Sequence, residues 1–241
     1  MKAHRKTAER LPIGGTFNVR DMGGYSTADG RTVRWNRVFR SDDLSTLTDD
    51  GLDYLTRLEI RSIVDFRDIE EREYAPDRCP DCISGIYEFP IKVGNLMELL
   101  ELNNYDAGLL LRNANKSLVR DFNAEYASFF EVLVNGDSAP LLFHCSAGKD
   151  RAGFAAALFL SSLGVDRETV IQDYLPSGDN IRPKYQAEVE ANPVLAPLMQ
   201  SRREYLSSAF EVIDDEFGGV ENYLAEVLGV DLERMRSLYL D

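Results

Sequence analysis

Short apolar runs alternate along the chain with longer stretches in which apolar residues recur every three or four positions, a pattern that predicts strands and helices in turn. RVFRS (Arg37–Ser41), RSIVDF (Arg61–Phe66), ISGIYEFPI (Ile83–Ile91) and PLLFHC (Pro140–Cys145) read as strands. Between the first two, LTDDGLDYLTRL has helical spacing behind Thr48, whose hydroxyl suits an N-cap. VRDFNAEYASFFEVLVNG reads as one long helix, and AGFAAALFLSSLG as a second that stops at Gly164. From Asp166 onward the pattern is helical, punctuated at Pro176, Gly178, Pro183, Pro193, Pro197, Gly218, Gly219 and Gly229. Strands alternating with helices imply an α/β fold with a mostly parallel sheet flanked by helices on both faces. No stretch has linker composition, so residues 1–241 are expected to form a single domain.

Within that frame HCSAGKDRAG (His144–Gly153) falls on the turn from a buried strand into a helix. In open α/β sheets, ligands bind at the carboxyl ends of strands. The N–H groups from Ser146 through Ala147, Gly148, Lys149 and Asp150 to Arg151 can curl into a nest for a tetrahedral anion, with the positive end of the following helix behind them. Gly148 permits the curl. Arg151, six residues after Cys145, can fold over the loop and offer a planar fork to two phosphate oxygens. Cys145 at the floor of such a cradle is favoured as a thiolate, which makes it a nucleophile toward phosphorus. Arg151 and the amides would hold the equatorial oxygens, so no metal or other cofactor is required. His144 is either a hydrogen-bond partner that orients the loop or a satisfied core histidine.

Composition narrows the partners. The net charge of −14 argues against general electrostatic binding of nucleic acid or anionic membrane, so the anion site must be local. No run approaches the roughly 18 apolar residues of a membrane span. The N-terminal MKAHRKTAERLPIGG lacks the apolar core of a secretory signal, so the expected address is the cytoplasm, with export by another route left open. Three cysteines do not make a disulfide scaffold. Two of them, Cys79 and Cys82 in CPDC, read as a surface turn ahead of a redox pair or half a zinc site. His4, His144 and Cys145 are the only other histidines and cysteine available as ligands.

The loop resembles the C-x5-R signature of cysteine-dependent protein tyrosine phosphatases. Its form HC-x-AGKDR is similar to one branch, the bacterial tyrosine/serine phosphatases, which has a mycobacterial secreted member active on phosphoinositides. NVRDMGGY (Asn18–Tyr25), RSDDLSTLTDDG, IVDFRDIEERE (Ile63–Glu73), YEFP (Tyr87–Pro90), LGVDRETVIQDYL and EYLSSAFEVIDDEFGGVENYLAEVLGV resemble that family's blocks in its order, from about Leu11 to the end. The resemblance implies a phosphatase-type fold with a four-stranded parallel core and a helical lid. It also implies hydrolysis of phosphotyrosine, with phosphoserine, phosphothreonine or phosphoinositide as further substrates, through a phosphocysteine.

Such a site needs a general acid for the leaving group. The one tryptophan, Trp35, is not part of a Trp-Pro-Asp sequence. Asp150, inside the loop and supported by the resemblance, is the first candidate, and Asp65 at the end of the IVDF strand is the second. Asp150 could instead brace the loop through a cation, and Asp65 could pair with Arg67 or Arg20. Lys149 resembles the loop lysine of phosphoinositide phosphatases and could meet a second phosphate, unless it is an ordinary solvated lysine.

Ala152 stands where the family usually has Thr or Ser, whose hydroxyl stabilises the departing sulfur when phosphocysteine is hydrolysed. Its loss would cost roughly 1.5–3 kcal/mol in that second step, with Ser146 a possible substitute. The stripe Leu96, Met97, Leu99, Leu100, Leu102, Leu109, Leu110 and Leu111 is core by periodicity. As an insertion over 93–118 the resemblance makes it a lid, and lipid contact there is not expected given the acidic charge. Two other functions fit the loop. One is a phosphate-binding module without turnover, motivated by Ala152. The other is arsenate reduction or sulfur transfer, for which CPDC would supply the resolving thiols.

Overall fold

The computed structural model describes residues 7–93 and 106–241. Its sheet has five strands: β1 (Arg20–Asp21), β2 (Val38–Ser41), β3 (Ser62–Asp65), β4 (Gly85–Glu88) and β5 (Leu141–His144), in the order β1-β2-β5-β3-β4. The four from β2 to β4 are parallel, and β1 adds an antiparallel edge. The expected strands are present and shorter than their apolar runs. β1 was not legible as a strand, because two residues carry no period.

Side chains alternate across the sheet. Val38, Val64, Leu141 and Phe143 join the larger core, while Phe39, Ile63 and Leu142 join a smaller one on the other face. Helix α1 (Asp49–Arg57) helps cover the smaller core and is capped as expected, with Thr48 Oγ1 accepting the Gly51 N–H at 3.1 Å. Helix α2 (Ile69–Tyr74) follows β3. The larger core is built around α5 (Arg151–Ser162), buried from Ala152 through Ser162 and rich in small residues that let its neighbours approach.

The segment expected as one helix before β5 is two, α3 (Ala107–Asp121) and α4 (Asn123–Val134), broken at Phe122 with φ −125° and ψ 32°. The Tyr223 hydroxyl, donating to Asn123 Oδ1 at 2.6 Å, pins the break from a distant part of the chain. The proposed lid falls partly outside the described residues, Leu96 to Leu102 with it. Its remainder, α3, packs into the body, with Leu110, Leu111, Ala114, Leu118 and Val119 buried and Leu109 left 45% exposed.

After α5 come α6 (Arg167–Tyr174), α7 (Pro176–Ile181), α8 (Gln186–Ala191), a 3₁₀ segment (Pro193–Met199) and α9 (Arg203–Phe217). The short α10 (Val220–Asn222), a π turn (Tyr223–Val227) and α11 (Leu232–Tyr239) complete the chain. No helix among the described residues is long and apolar enough to cross a membrane.

Candidate active site

β5 lies between β2 and β3, so the loop after His144 leaves the middle of the sheet at its carboxyl edge and ends where α5 begins at Arg151. Three successive loop carbonyls are tied to the body. Ser146 O accepts from Lys184 Nζ at 3.0 Å and from the Asp43 N–H at 3.3 Å. Ala147 O accepts from Asn18 Nδ2 at 3.3 Å, and Gly148 O from Asn18 Nδ2 at 3.0 Å and Arg40 Nη2 at 2.7 Å. In a trans peptide the carbonyl and the next N–H point in opposite directions. Holding these carbonyls outward therefore aims the N–H groups of Ala147, Gly148 and Lys149 into the concave side, an arrangement suited to an anion. Gly148 has φ +63°, and a Cβ there would lie 2.4 Å from Ser41 O, so only glycine fits.

Cys145, 2% exposed, sits at the base of this loop. Arg151 is gripped by Glu71: Nη1 lies 2.6 Å from Oε2 and Nη2 2.7 Å from Oε1. Nη1 also donates to Ile91 O at 3.1 Å. Burial by itself would raise the Glu71 pKa, but Arg151 more than reverses this and brings it down to about 2. Burial disfavours charge on Arg151 as well, and Glu71 outweighs it, so the guanidinium stays charged. Of the five N–H donors of the guanidinium, the four on Nη1 and Nη2 are taken by Glu71, Ile91 O and Ser146 Oγ, which leaves Nε–H for a ligand; the fork expected to meet two phosphate oxygens is turned onto Glu71 instead.

Glu71 was not among the residues picked from sequence. It ends the Asp68-x-x-Glu71 capping box of α2: Asp68 Oδ1 accepts the Glu71 N–H at 2.9 Å, and Glu71 Oε2 accepts the Asp68 N–H at 2.9 Å. That box was a readable helix signal, although nothing in it marks a partner of Arg151. Asn18, Arg40 and Lys184 were missed too. Asn18 and Arg40 lie in or beside quoted blocks, but with no assigned role.

Ser146 Oγ donates to Glu71 Oε1 and accepts from Arg151 Nη2 at 3.2 Å. It is committed to the arginine's support, which corrects the expectation that it could replace the hydroxyl missing at Ala152.

Lys149 is not a solvated lysine. It is 2% exposed, its Nζ lies 2.9 Å from Asp150 Oδ1 and Oδ2, and it stands over the Tyr205 ring at 5.9 Å. Asp150 Oδ1 also accepts from the Tyr174 hydroxyl at 3.2 Å, and the carboxyl remains 27% exposed. Asp65 pairs with Arg67, as the alternative reading had it. Arg67 Nε lies 3.0 Å from both Asp65 oxygens and Nη2 2.8 Å from Oδ2.

His144 is fully buried behind the loop. Nδ1 is 3.4 Å from Cys145 O and 3.9 Å from Asp65 Oδ1. Nε2 is 3.1 Å from Asp77 Oδ2, off the line that a hydrogen bond needs. Burial alone would lower the His144 pKa; Asp77 and Asp65 outweigh it and raise it. Asp65, Asp77 and His144 converge closely enough to hold a cation, but Arg67 Nη2, 2.7 Å from Asp77 Oδ2, already supplies one. These residues therefore fit a guanidinium better than a metal ion.

The CPDC segment is the expected turn, closed by the Ile83 N–H on Pro80 O at 3.2 Å. Both of its cysteines are free. Cys79 packs against the smaller core, whereas Cys145 belongs to the larger one across the sheet. Burial pushes the Cys79 thiol up to about 11, which makes it a poor resolving thiol for arsenate reduction. His4 lies outside the described residues.

A model of the tyrosine phosphatase family matches residues 11–241. The chain belongs to the tyrosine phosphatase family. It is 32% identical over 243 residues to a protein of Cupriavidus necator named as a tyrosine-protein phosphatase, covering 92% of this chain and 85% of that one. It is 30% identical over 273 residues to the triple specificity protein phosphatase PtpB of Mycobacterium tuberculosis, covering 94% and 97%. Among solved structures, P. aeruginosa TpbA aligns over 89% of this chain and 95% of its own at 15% identity, with a TM-score of 0.36. The chain is thus a cysteine-dependent phosphatase of phosphomonoesters, the activity the family carries. In this phosphatase Cys145, Ser146, Ala147, Gly148 and Arg151 are gathered on one loop. Lys149 and Asp150 form a pair at its end, and Asp65 is engaged behind it with Arg67 and His144.

Proposed function

We propose that this phosphatase hydrolyses phosphotyrosine in protein substrates, with Cys145 as nucleophile, Arg151 and the loop amides as phosphate ligands, and Asp150 as general acid. Cys145 Sγ attacks phosphorus, and the bond to the leaving phenolic oxygen breaks as Asp150 gives that oxygen its proton. Water then attacks the phosphocysteine, returning a proton to Asp150 while the P–S bond breaks and inorganic phosphate departs. The observation that carries this reading is the outward tethering of three consecutive carbonyls, which points their amide partners at one place beside Cys145.

Asp150 is preferred to Asp65 on geometry. Both carboxyls are paired with a cation, Asp150 with Lys149 and Asp65 with Arg67; what favours Asp150 is that its carboxyl is held by the loop itself and is partly open to solvent, from which it can reload a proton, whereas Asp65 is buried. Lys149 points the substrate choice away from phosphoinositides. With its ammonium buried on Asp150, its role is to orient the acid rather than to meet a second phosphate. The name of PtpB attributes triple specificity to that protein, and for this chain membership of the tyrosine phosphatase family is what supports phosphotyrosine first.

Phenyl phosphate needs its leaving oxygen protonated, and p-nitrophenyl phosphate hardly does. Asp150→Asn is therefore expected to lower kcat/KM, which reports the P–O cleavage step, on phenyl phosphate by about 10²–10⁴-fold and to affect kcat/KM on p-nitrophenyl phosphate far less, while Asp65→Asn acts on both alike. Equal losses on both substrates in Asp150→Asn would remove it as the acid.

A further inference from the structure

Behind the loop, two buried arginines converge on one aspartate. Arg20 and Arg40 face each other across β1 and β2, and both are fully buried. Arg40 Nη1 lies 2.6 Å from Asp173 Oδ2, and its Nη2 reaches Gly148 O at 2.7 Å. Arg20 Nη1 lies 3.1 Å from Asp173 Oδ1, and its Nη2 donates to Ser177 Oγ at 2.8 Å. The Tyr25 hydroxyl adds a donor to Asp173 Oδ1 at 2.7 Å.

Among the described residues, Asp173 is the carboxylate that meets these arginines, so two guanidinium groups and one carboxylate leave one positive charge in excess. Burial alone would raise the Asp173 pKa, but the two arginines hold it below the usual range, and the carboxylate stays ionised. Burial brings Arg20 down to about 10, which leaves it charged at neutral pH. The Nε groups of both arginines lack a hydrogen-bond partner. For stability alone this is a poor arrangement, since buried like charges and unpartnered donors both destabilise. An anion received on the opposite side of the loop gives it a purpose.

We propose that Arg40 is a positioning residue of the phosphate site: it ties down the Gly148 carbonyl so that the Lys149 N–H faces the oxyanion, and with Arg20 it leaves an excess positive charge under the cradle that favours a phosphate dianion. The inference rests on the phosphatase reading of the same loop. Two effects act together, a tether that belongs to Arg40 and a charge that Arg20 and Arg40 supply equally.

The test is competitive inhibition of p-nitrophenyl phosphate hydrolysis by inorganic phosphate in Arg40→Gln, Arg20→Gln and Arg40→Lys, each checked for folding by circular dichroism and thermal melting. Arg40→Gln leaves Arg20 and Asp173 as a neutral pair, which favours folding. It should raise the phosphate Ki and the KM together by about tenfold or more. Arg20→Gln should give a smaller rise, because it removes the same charge without touching the loop. Arg40→Lys, which restores the charge but not the fork, should fall between Arg40→Gln and wild type.

A folded Arg40→Gln with phosphate Ki within twofold of wild type would overturn the proposal, and so would equal losses in Arg20→Gln and Arg40→Gln. Should Arg40→Gln fail to fold, an unchanged Ki in Arg40→Lys would overturn it as well. Wild-type protein that neither hydrolyses p-nitrophenyl phosphate nor is protected by phosphate against alkylation of Cys145 would overturn this proposal and the reading beneath it together.

Discussion

Ala152 follows the loop arginine and is fully buried, and it offers no hydroxyl at that position. Ser146, the nearest substitute in sequence, is held by Glu71 and Arg151. The second chemical step, in which sulfur must leave phosphorus, therefore lacks a donor that the family usually supplies. Ala152→Ser is expected to speed that step by about tenfold to a hundredfold, the worth of one hydrogen bond to a charged group, and to diminish any pre-steady-state burst. A burst unchanged in the variant would contradict this. Cys145 and Arg151 were legible because the chemistry fixes their spacing within one loop. Glu71 was not, because it meets Arg151 from 80 residues away and no local pattern records that contact.

Among the elements, α2 shows how a short helix can matter to the site. Its capping box holds Glu71 by the backbone, and the same carboxylate grips Arg151, so the cap and the loop arginine are mechanically joined. Asp68→Ala is expected to destabilise the protein by about 1 kcal/mol. Because the Glu71 N–H then loses its side-chain acceptor while the Asp68 N–H still holds Oε2, the variant should also lower kcat/KM, a loss readable at a temperature where the protein is still folded. Lost stability with kcat/KM unchanged would separate the cap from the site. The longer elements were legible from periodicity and caps, as α1 behind Thr48 illustrates. The break at Phe122 was not, because both flanks have helical pattern and the bond that pins it comes from Tyr223. β1 owes its strand to pairing with β2 rather than to its own two residues.

Across the whole molecule, an acidic chain of net charge −14 concentrates cations at one place: Arg151 on the loop, and Arg20 and Arg40 behind it. The ionisable groups around that place also set the pH range of stability. Glu71 titrates at about 2 in the folded protein against an ordinary 4.5, so its contribution is present above 4.5 and is lost as pH falls toward 2. His144 is raised above its ordinary 6.5, so its contribution is complete below 6.5 and is lost as pH rises through the higher folded value. Urea melts across this range should show a stability maximum between the two limits, and Glu71→Gln should make the acid limb shallower. An acid limb unchanged in that variant would mean that the Glu71–Arg151 pair does not stabilise the fold. The parallel core and the cradle were readable in the order of strands and in the loop. The charge cluster behind the cradle was not, because β1, β2 and α6 each contribute one member and only the folded sheet brings them together.

The central claim, a phosphocysteine on Cys145 in an amide cradle, is tested most directly by a stopped-flow time course of p-nitrophenyl phosphate hydrolysis, run beside Cys145→Ser. A rapid burst of p-nitrophenol approaching one per enzyme, followed by slower turnover and with both phases missing in the variant, is the expected result. Hydrolysis that persists in Cys145→Ser, or wild-type protein that binds phosphate and releases no product, would contradict it.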